Sequence, residues 1–110
     1  GNPLREFLHV DDLADACLFL MKNLNAQQLY GQKISHINIG SGEEISIKKL
    51  ALMIKDIVGY RGNIQFNSDY PDGMPRKLLD VSRIISMGWK SSIDLDTGIK
   101  SVYEWYLNNL

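Results

Sequence analysis

The chain has one cysteine, three prolines and no apolar run longer than Ala16 to Met21. The single thiol, Cys17, excludes an internal disulfide, and no His or second Cys stands beside it at metal-ligand spacing. A helix crossing a bilayer needs about 20 apolar residues, so none is predicted. Charge of neither sign is in excess, because Lys+Arg 12 against Asp+Glu 13 leaves a formal charge of -1. Wholesale attraction to nucleic acid or to an anionic membrane is therefore not predicted, and any anion site must come from a few locally placed cations. Internal repeats and low-complexity tracts are absent. So are a P-loop, a nucleophile elbow and a metal-binding His pair. None of the five tyrosines has a Lys four residues later, which removes the Tyr-x-x-x-Lys reductase pair.

What is present reads as one globular α/β unit. At 110 residues and 45% hydrophobic content, the chain could bury about 60 to 70% of its unfolded surface. It opens on Gly1-Asn2-Pro3, with neither an initiator Met nor a signal-peptide pattern, and is expected to be a piece excised from a longer protein. Leu4 to Val10 alternates as a strand, and Asp11 is placed to cap a helix whose stripe is Leu13, Cys17, Leu20, Met21 and Leu24. Cys17 in that stripe reads as a small core residue. Asn25 to Ser35 reads as loop, and His36 to Ile39 as a short strand closed by Gly40-Ser41-Gly42. Ser46 caps a second helix with the stripe Ile47, Leu50, Ala51, Ile54, Ile57 and Val58, and Gly59 stops it. A third strand is expected at Asn63 to Phe66. A short helix capped by Asp80 or Ser82 then ends near Gly88, and a last helix capped by Asp94 buries Leu95, Ile99, Val102, Tyr103 and Tyr106. The order is β-α-β-α-β-α-α, and three short strands are few for a self-sufficient α/β domain.

The glycine pair of Gly40-Ser41-Gly42 lacks the third glycine of a dinucleotide loop, since Ile45 stands there. Glu43 and Glu44 also suit a helix N-terminus and repel a phosphate. His9 and His36 read as structural residues, His9 as a donor to a backbone carbonyl, with a place facing a pocket as the alternative to that structural role. Trp89 and Trp105 read as packing aromatics with locally satisfied indole N–H groups. No set of residues makes a self-contained active site.

The most unusual stretch is Asp72-Gly73-Met74-Pro75-Arg76-Lys77, which brings a turn, a fixed φ and two adjacent cations together. Residues 71–90 carry a net +2, from Arg76, Lys77, Arg83 and Lys90 against Asp72 and Asp80. If Arg76 and Lys77 continue extended, their side chains diverge and only one can enter a given pocket. A pyrophosphate would be neutralised by a guanidinium and an ammonium on different segments, and Arg5, sharing a strand face with Phe7 and His9, is the natural second cation. The alternative is surface pairing of Arg5 with Glu6 or of Arg76 with an Asp, worth little. Asp72 either caps its own turn or accepts from a sugar or base, and the residues alone do not choose.

Arg5-Glu6-Phe7-Leu8-His9-Val10-Asp11-Asp12-Leu13-Ala14, followed by His36-Ile37-Asn38-Ile39-Gly40-Ser41-Gly42, resembles the C-terminal portion of extended short-chain dehydrogenases/reductases acting on nucleotide sugars. Pro71-Asp72-Gly73-Met74-Pro75-Arg76-Lys77-Leu78-Leu79-Asp80, then Met87-Gly88-Trp89, resembles the GDP-L-fucose synthase family within them. The first block marks the superfamily broadly and the second is more specific. The resemblance implies that residues 1–110 are a single small C-terminal substrate-binding domain, short strands alternating with helices, of an enzyme about three times larger, whose Rossmann domain is not in this chain. It implies an NADPH-dependent 3,5-epimerisation and 4-reduction of GDP-4-keto-6-deoxy-D-mannose to GDP-L-fucose in a cytoplasmic parent, expected to be a homodimer without nucleic-acid or membrane partners. The NADPH loop, reductase triad and epimerisation acid and base lie upstream, so no catalytic, cofactor-binding or metal residue is expected here and the chain alone should be inactive. By motif, Arg5, Asp72 and Lys77 carry over as contacts to the GDP-sugar, with Arg5 and Lys77 clamping the diphosphate. The competing readings are the substrate lobe of another nucleotide-sugar epimerase or 4,6-dehydratase, and a non-catalytic binding module.

Overall fold

A computed structural model describes all residues from Gly1 to Leu110. Its three-stranded sheet has β1 (Leu4–Glu6) in the centre, β2 (Glu44–Ser46) antiparallel on one side and β3 (Arg76–Lys77) parallel on the other. The helices are α1 (Val10–Asn23), α2 (Ala26–Gly31), α3 (Ile47–Val58), α4 (Ser82–Ser86) and α5 (Leu95–Asn108). None is long and apolar enough to cross a membrane.

The chain is α/β with three strands, as read from sequence, but only β1 lies where alternation put one, and it stops at Glu6. The stretch His36 to Ile39 forms no ladder: Ile37 and Ile39 pack against the core, while the backbone groups of these four residues bond to nothing in the chain. A strand exists only where a second strand accepts its hydrogen bonds, and none is within reach there. Asn63 to Phe66 is likewise unpaired. The outer strands are instead Glu44–Ser46, a stretch read from sequence only as the approach to a helix capped by Ser46, and Arg76–Lys77. Pro75 leads into β3 and its carbonyl accepts from the Leu4 N–H at 2.9 Å, which brings the segment beside β1.

Helix ends followed the capping chemistry closely in three places. Ser46 accepts from the Lys49 N–H, Asp94 accepts from the Thr97 N–H, and Gly59 ends α3 at φ 70, a left-handed conformation only glycine takes without strain. At α1 the cap is His9 rather than Asp11: its Nδ1 accepts from the Asp11 N–H at 3.1 Å. The stretch read as loop after Asn25 contains α2, closed at its start by a capping box of Asn25 with Gln28.

The core is small. Ala16, Val81, Ile84 and Trp89 are its buried residues, with Leu8, Phe19, Leu20, Ile37 and Ile39 packed against them. The indole N–H of Trp89 donates to the Asp15 carboxylate at 2.8 Å, a partner far away in sequence. Trp105, by contrast, is exposed and not a packing residue. On α1 the inward face is Asp12, Ala16, Phe19 and Leu20, and the stripe expected inside points largely outward: Leu13 and Met21 are exposed, and so is Cys17, which is no core residue. This helix is apolar around more than half its circumference, so the stripe does not say which flank meets a neighbour; small Ala16 lets Ile84 and Trp89 approach and decides it. On α5, Leu95, Ile99 and Tyr103 are half-buried, whereas Val102 and Tyr106 are exposed.

Candidate functional site

The sheet places the predicted cations. Arg5 of β1 pairs in register with Lys77 of the parallel β3 and with Ile45 of β2. Residues opposite each other in register share a face, so Arg5 and Lys77 stand side by side on one face of the sheet. Leu4, Glu6, Glu44, Ser46 and Arg76 belong to the other. The two cations of Arg76-Lys77 therefore diverge, as extended geometry requires.

Each cation meets a different environment. The Arg76 Nε donates to Glu44 Oε2 at 2.7 Å, and the hydrogen bond and charge of Glu44 hold the guanidinium above its ordinary pKa. Lys77 has no ion-pair or hydrogen-bond partner in the chain. Of Arg5, only Nη1 is engaged: it donates to the Leu4 carbonyl at 2.7 Å and to the Met74 carbonyl at 2.9 Å. Nη2 and Nε remain for an acceptor outside the chain, and the donor to Met74 ties the 71–75 loop to β1. The expected surface alternatives do not form. Glu6 turns from Arg5 to accept from the Gly42 N–H at 2.7 Å, and Arg76 pairs with Glu44 instead of an Asp.

Asp72 sits in the turn completed by Gly73 at φ 70. Its carboxylate caps nothing in that turn and is well exposed. Arg5 and Lys77 are brought together directly, and Asp72 is attached to them through the tethered loop.

The glycine-rich turn fails as a phosphate cradle for a reason beyond its missing glycine. The Glu6 carboxylate occupies it: a Cβ at Gly40 would lie 2.6 Å from Glu6 Oε1, and the Gly42 N–H is already bonded to Glu6. A dinucleotide phosphate would meet a carboxylate there. His9 has a structural role, though as an acceptor from the Asp11 N–H at the start of α1 and not as a donor to a carbonyl, and it also lines an apolar cleft of about 410 Å³ with Val10, Leu50, Ile54, Ile99 and Val102. Its ring lies against α5, where a Cβ on Gly98 would come within 3.1 Å of it, and its buried Nε2 has no partner in the chain. His36 is exposed, 3.4 Å from the Ser35 hydroxyl. Sequence reading missed the roles of Glu44 and Glu6. The signal was available in the alternation of Glu44-Ile45-Ser46, obscured by the capping serine that follows.

Residues 1–40 match the model of the NAD dependent epimerase/dehydratase family. GDP-L-fucose synthase 1 of Arabidopsis thaliana is 46% identical over 110 residues, which is 100% of this chain and 32% of that protein. Among solved structures, a GDP-6-OMe-4-keto-L-xylo-heptose reductase from Campylobacter jejuni is 46% identical and superposes with a TM-score of 0.91 over 99% of this chain and 32% of its own. A GDP-mannoheptose C4 reductase from the same organism, with NADP bound, is 48% identical with a TM-score of 0.83, covering 97% and 32%. The resemblance to GDP-L-fucose synthases thus runs along the whole chain, and its fold is that of the C-terminal part of extended short-chain dehydrogenases/reductases. The chain spans about a third of the length of the curated relatives it matches.

Proposed function

We propose that residues 1–110 are the C-terminal, GDP-sugar-binding lobe of a GDP-L-fucose synthase, a cytoplasmic, homodimeric parent enzyme that epimerises and reduces GDP-4-keto-6-deoxy-D-mannose with NADPH. The observation that carries this reading is the adjacency of Arg5 and Lys77 on one sheet face, with Arg76 diverted to the other by Glu44. A diphosphate has two anionic groups within a few ångströms, and a planar guanidinium beside a compact ammonium complements it. Asp72, exposed on the loop that Arg5 tethers, is the acceptor for the sugar or base end. The lobe contributes orientation to the reaction: it holds the nucleotide so that the sugar is presented to groups on the rest of the parent.

The cofactor does not fit the residues present. The only strand-adjacent glycine-rich turn is filled by Glu6, so NADPH binding is assigned to the remainder of the parent, as is every step that needs it. The larger context is supported by the share of the relatives that the chain covers and by His36 to Ile39, an extended segment with an apolar inner side and an unpaired backbone, suited to a neighbouring strand outside these residues. A second reading has an observation in its favour: the GDP-heptose reductases of Campylobacter jejuni match as well as the fucose synthases. The clamp serves the GDP common to both, and rates with the two classes of GDP-sugar separate them.

The test uses GDP and GMP as probes. In the full-length protein, Lys77→Ala is expected to weaken GDP about tenfold, the value of one charge-assisted contact, and GMP much less. Calorimetric titration reads both, and equal losses for the two nucleotides would place Lys77 away from the second phosphate. The 110-residue chain alone, given NADPH and a GDP-4-keto sugar, is expected to show no oxidation of NADPH by its absorbance; turnover by the pure chain would refute the division of labour.

A further inference from the structure

We propose that Glu44 and Arg76 are a positioning pair that sets where the Lys77 ammonium stands; the proposal rests on the clamp reading above. The sheet order puts β2 and β3 on opposite sides of β1, so an ion pair from Glu44 to Arg76 straddles the central strand. β3 needs such a brace. It is two residues long, its register against β1 is set by two pairs, and every residue from Pro71 to Asp80 is exposed. Besides the ladder, it is held by the Leu4 N–H on the Pro75 carbonyl and by Arg5 on the Met74 carbonyl, both on the N-terminal side of Arg76.

Neighbouring side chains on a strand point to opposite faces, so fixing Arg76 on one face orients Lys77 on the other. Glu44 is the anchored partner, with its side chain 23% exposed, and Arg76 at 63% is the one that reaches. An ion pair this open adds little to global stability. Its effect is local: it limits the rotation of β3 about its own axis, the motion that would swing Lys77 out of line with Arg5. Without Glu44, Arg76 would also be a free second cation next to Lys77, able to draw the diphosphate toward the wrong face.

The measurement is steady-state kinetics of the full-length enzyme carrying Arg76→Gln, Glu44→Gln, both together, Arg76→Lys, or Lys77→Ala. Each single glutamine variant is expected to raise KM for the GDP-sugar about threefold to tenfold with kcat unchanged within about twofold, and the double variant to be no worse than the more affected single. Arg76→Lys, which keeps the charge, is expected to recover part of the loss, and melting temperatures should stay close to the parent's. A large KM effect from Arg76→Gln with none from Glu44→Gln would make Arg76 a ligand contact and overturn the proposal. Additive losses in the double variant would overturn it, and so would a drop in kcat together with melting temperature. No effect from either glutamine variant while Lys77→Ala raises KM would overturn the pair and leave the clamp standing. If Lys77→Ala changes nothing, the clamp itself fails, and the pair has nothing to position.

Discussion

Arg5→Ala in the full-length enzyme is expected to raise KM for the GDP-sugar about 10- to 100-fold, a range set by the loss of one or two charge-assisted hydrogen bonds. This is the largest functional effect anticipated, because Arg5 serves the site twice. Its Nη2 and Nε have no partner in the chain and are left for the proposed diphosphate, while Nη1 bonds the Met74 carbonyl and so holds the loop that carries Asp72 and leads into Lys77. Removing the side chain takes away a cation and loosens the placement of the other two site residues. Arg5→Lys separates the roles. An ammonium restores charge but lacks the planar fork that serves Met74 and a phosphate together, so an intermediate KM is expected. The reading is initial rate against GDP-sugar concentration at saturating NADPH. A wild-type KM in Arg5→Ala would remove Arg5 from the site.

Much of the placement of the candidate site residues was legible because it depends on local rules. Pro75 biases Met74 toward extended geometry, an extended continuation makes Arg76 and Lys77 diverge, and the β1 alternation fixes the face of Arg5. Which of the two adjacent cations is engaged was not legible. That depends on Glu44, 32 residues earlier in sequence and brought across by a sheet order that no local pattern encodes. The same division runs through the fold. Ser46, Gly59 and Asp94 act on backbone groups within a turn of themselves, so their roles follow from sequence. A strand is a property of two segments, and His36 to Ile39 has the composition of one with no partner to make it so. The α1 stripe through Leu13 and Cys17 marks apolar surface correctly, but whether that surface is covered depends on what packs there, and in this chain Ala16 and Asp12 take the inner side.

Asp12 carries the largest expected effect on stability. It is 3% exposed, and its carboxylate accepts from the Ile93 N–H at 2.9 Å, from the Ser92 hydroxyl at 3.0 Å and from the Ser92 N–H at 3.2 Å. These bonds join the helix that follows Arg5's strand to the segment that enters α5. Burial works against the charge, but the bonds from Ile93 and Ser92, aided by nearby His9, outweigh it and hold the carboxyl below its ordinary value near 3.8. A group whose folded pKa is depressed stabilises the fold above its unfolded pKa, and that contribution is lost as pH falls through the folded value. Unfolding by urea is therefore expected to become easier below about pH 4, with Asp12 contributing to the acid limb. Asp12→Ala leaves three donors without an acceptor and is expected to cost about 2 to 4 kcal/mol at neutral pH. Asp12→Asn keeps one oxygen but turns an NH2 toward an N–H, and should lose nearly as much while flattening the acid limb. Because the clamp cations lie on other elements, KM for the GDP-sugar should change little at temperatures where the variant is folded. An Asp12→Asn protein with parental urea midpoints at both neutral and acid pH would show that the tie between α1 and α5 carries no stability.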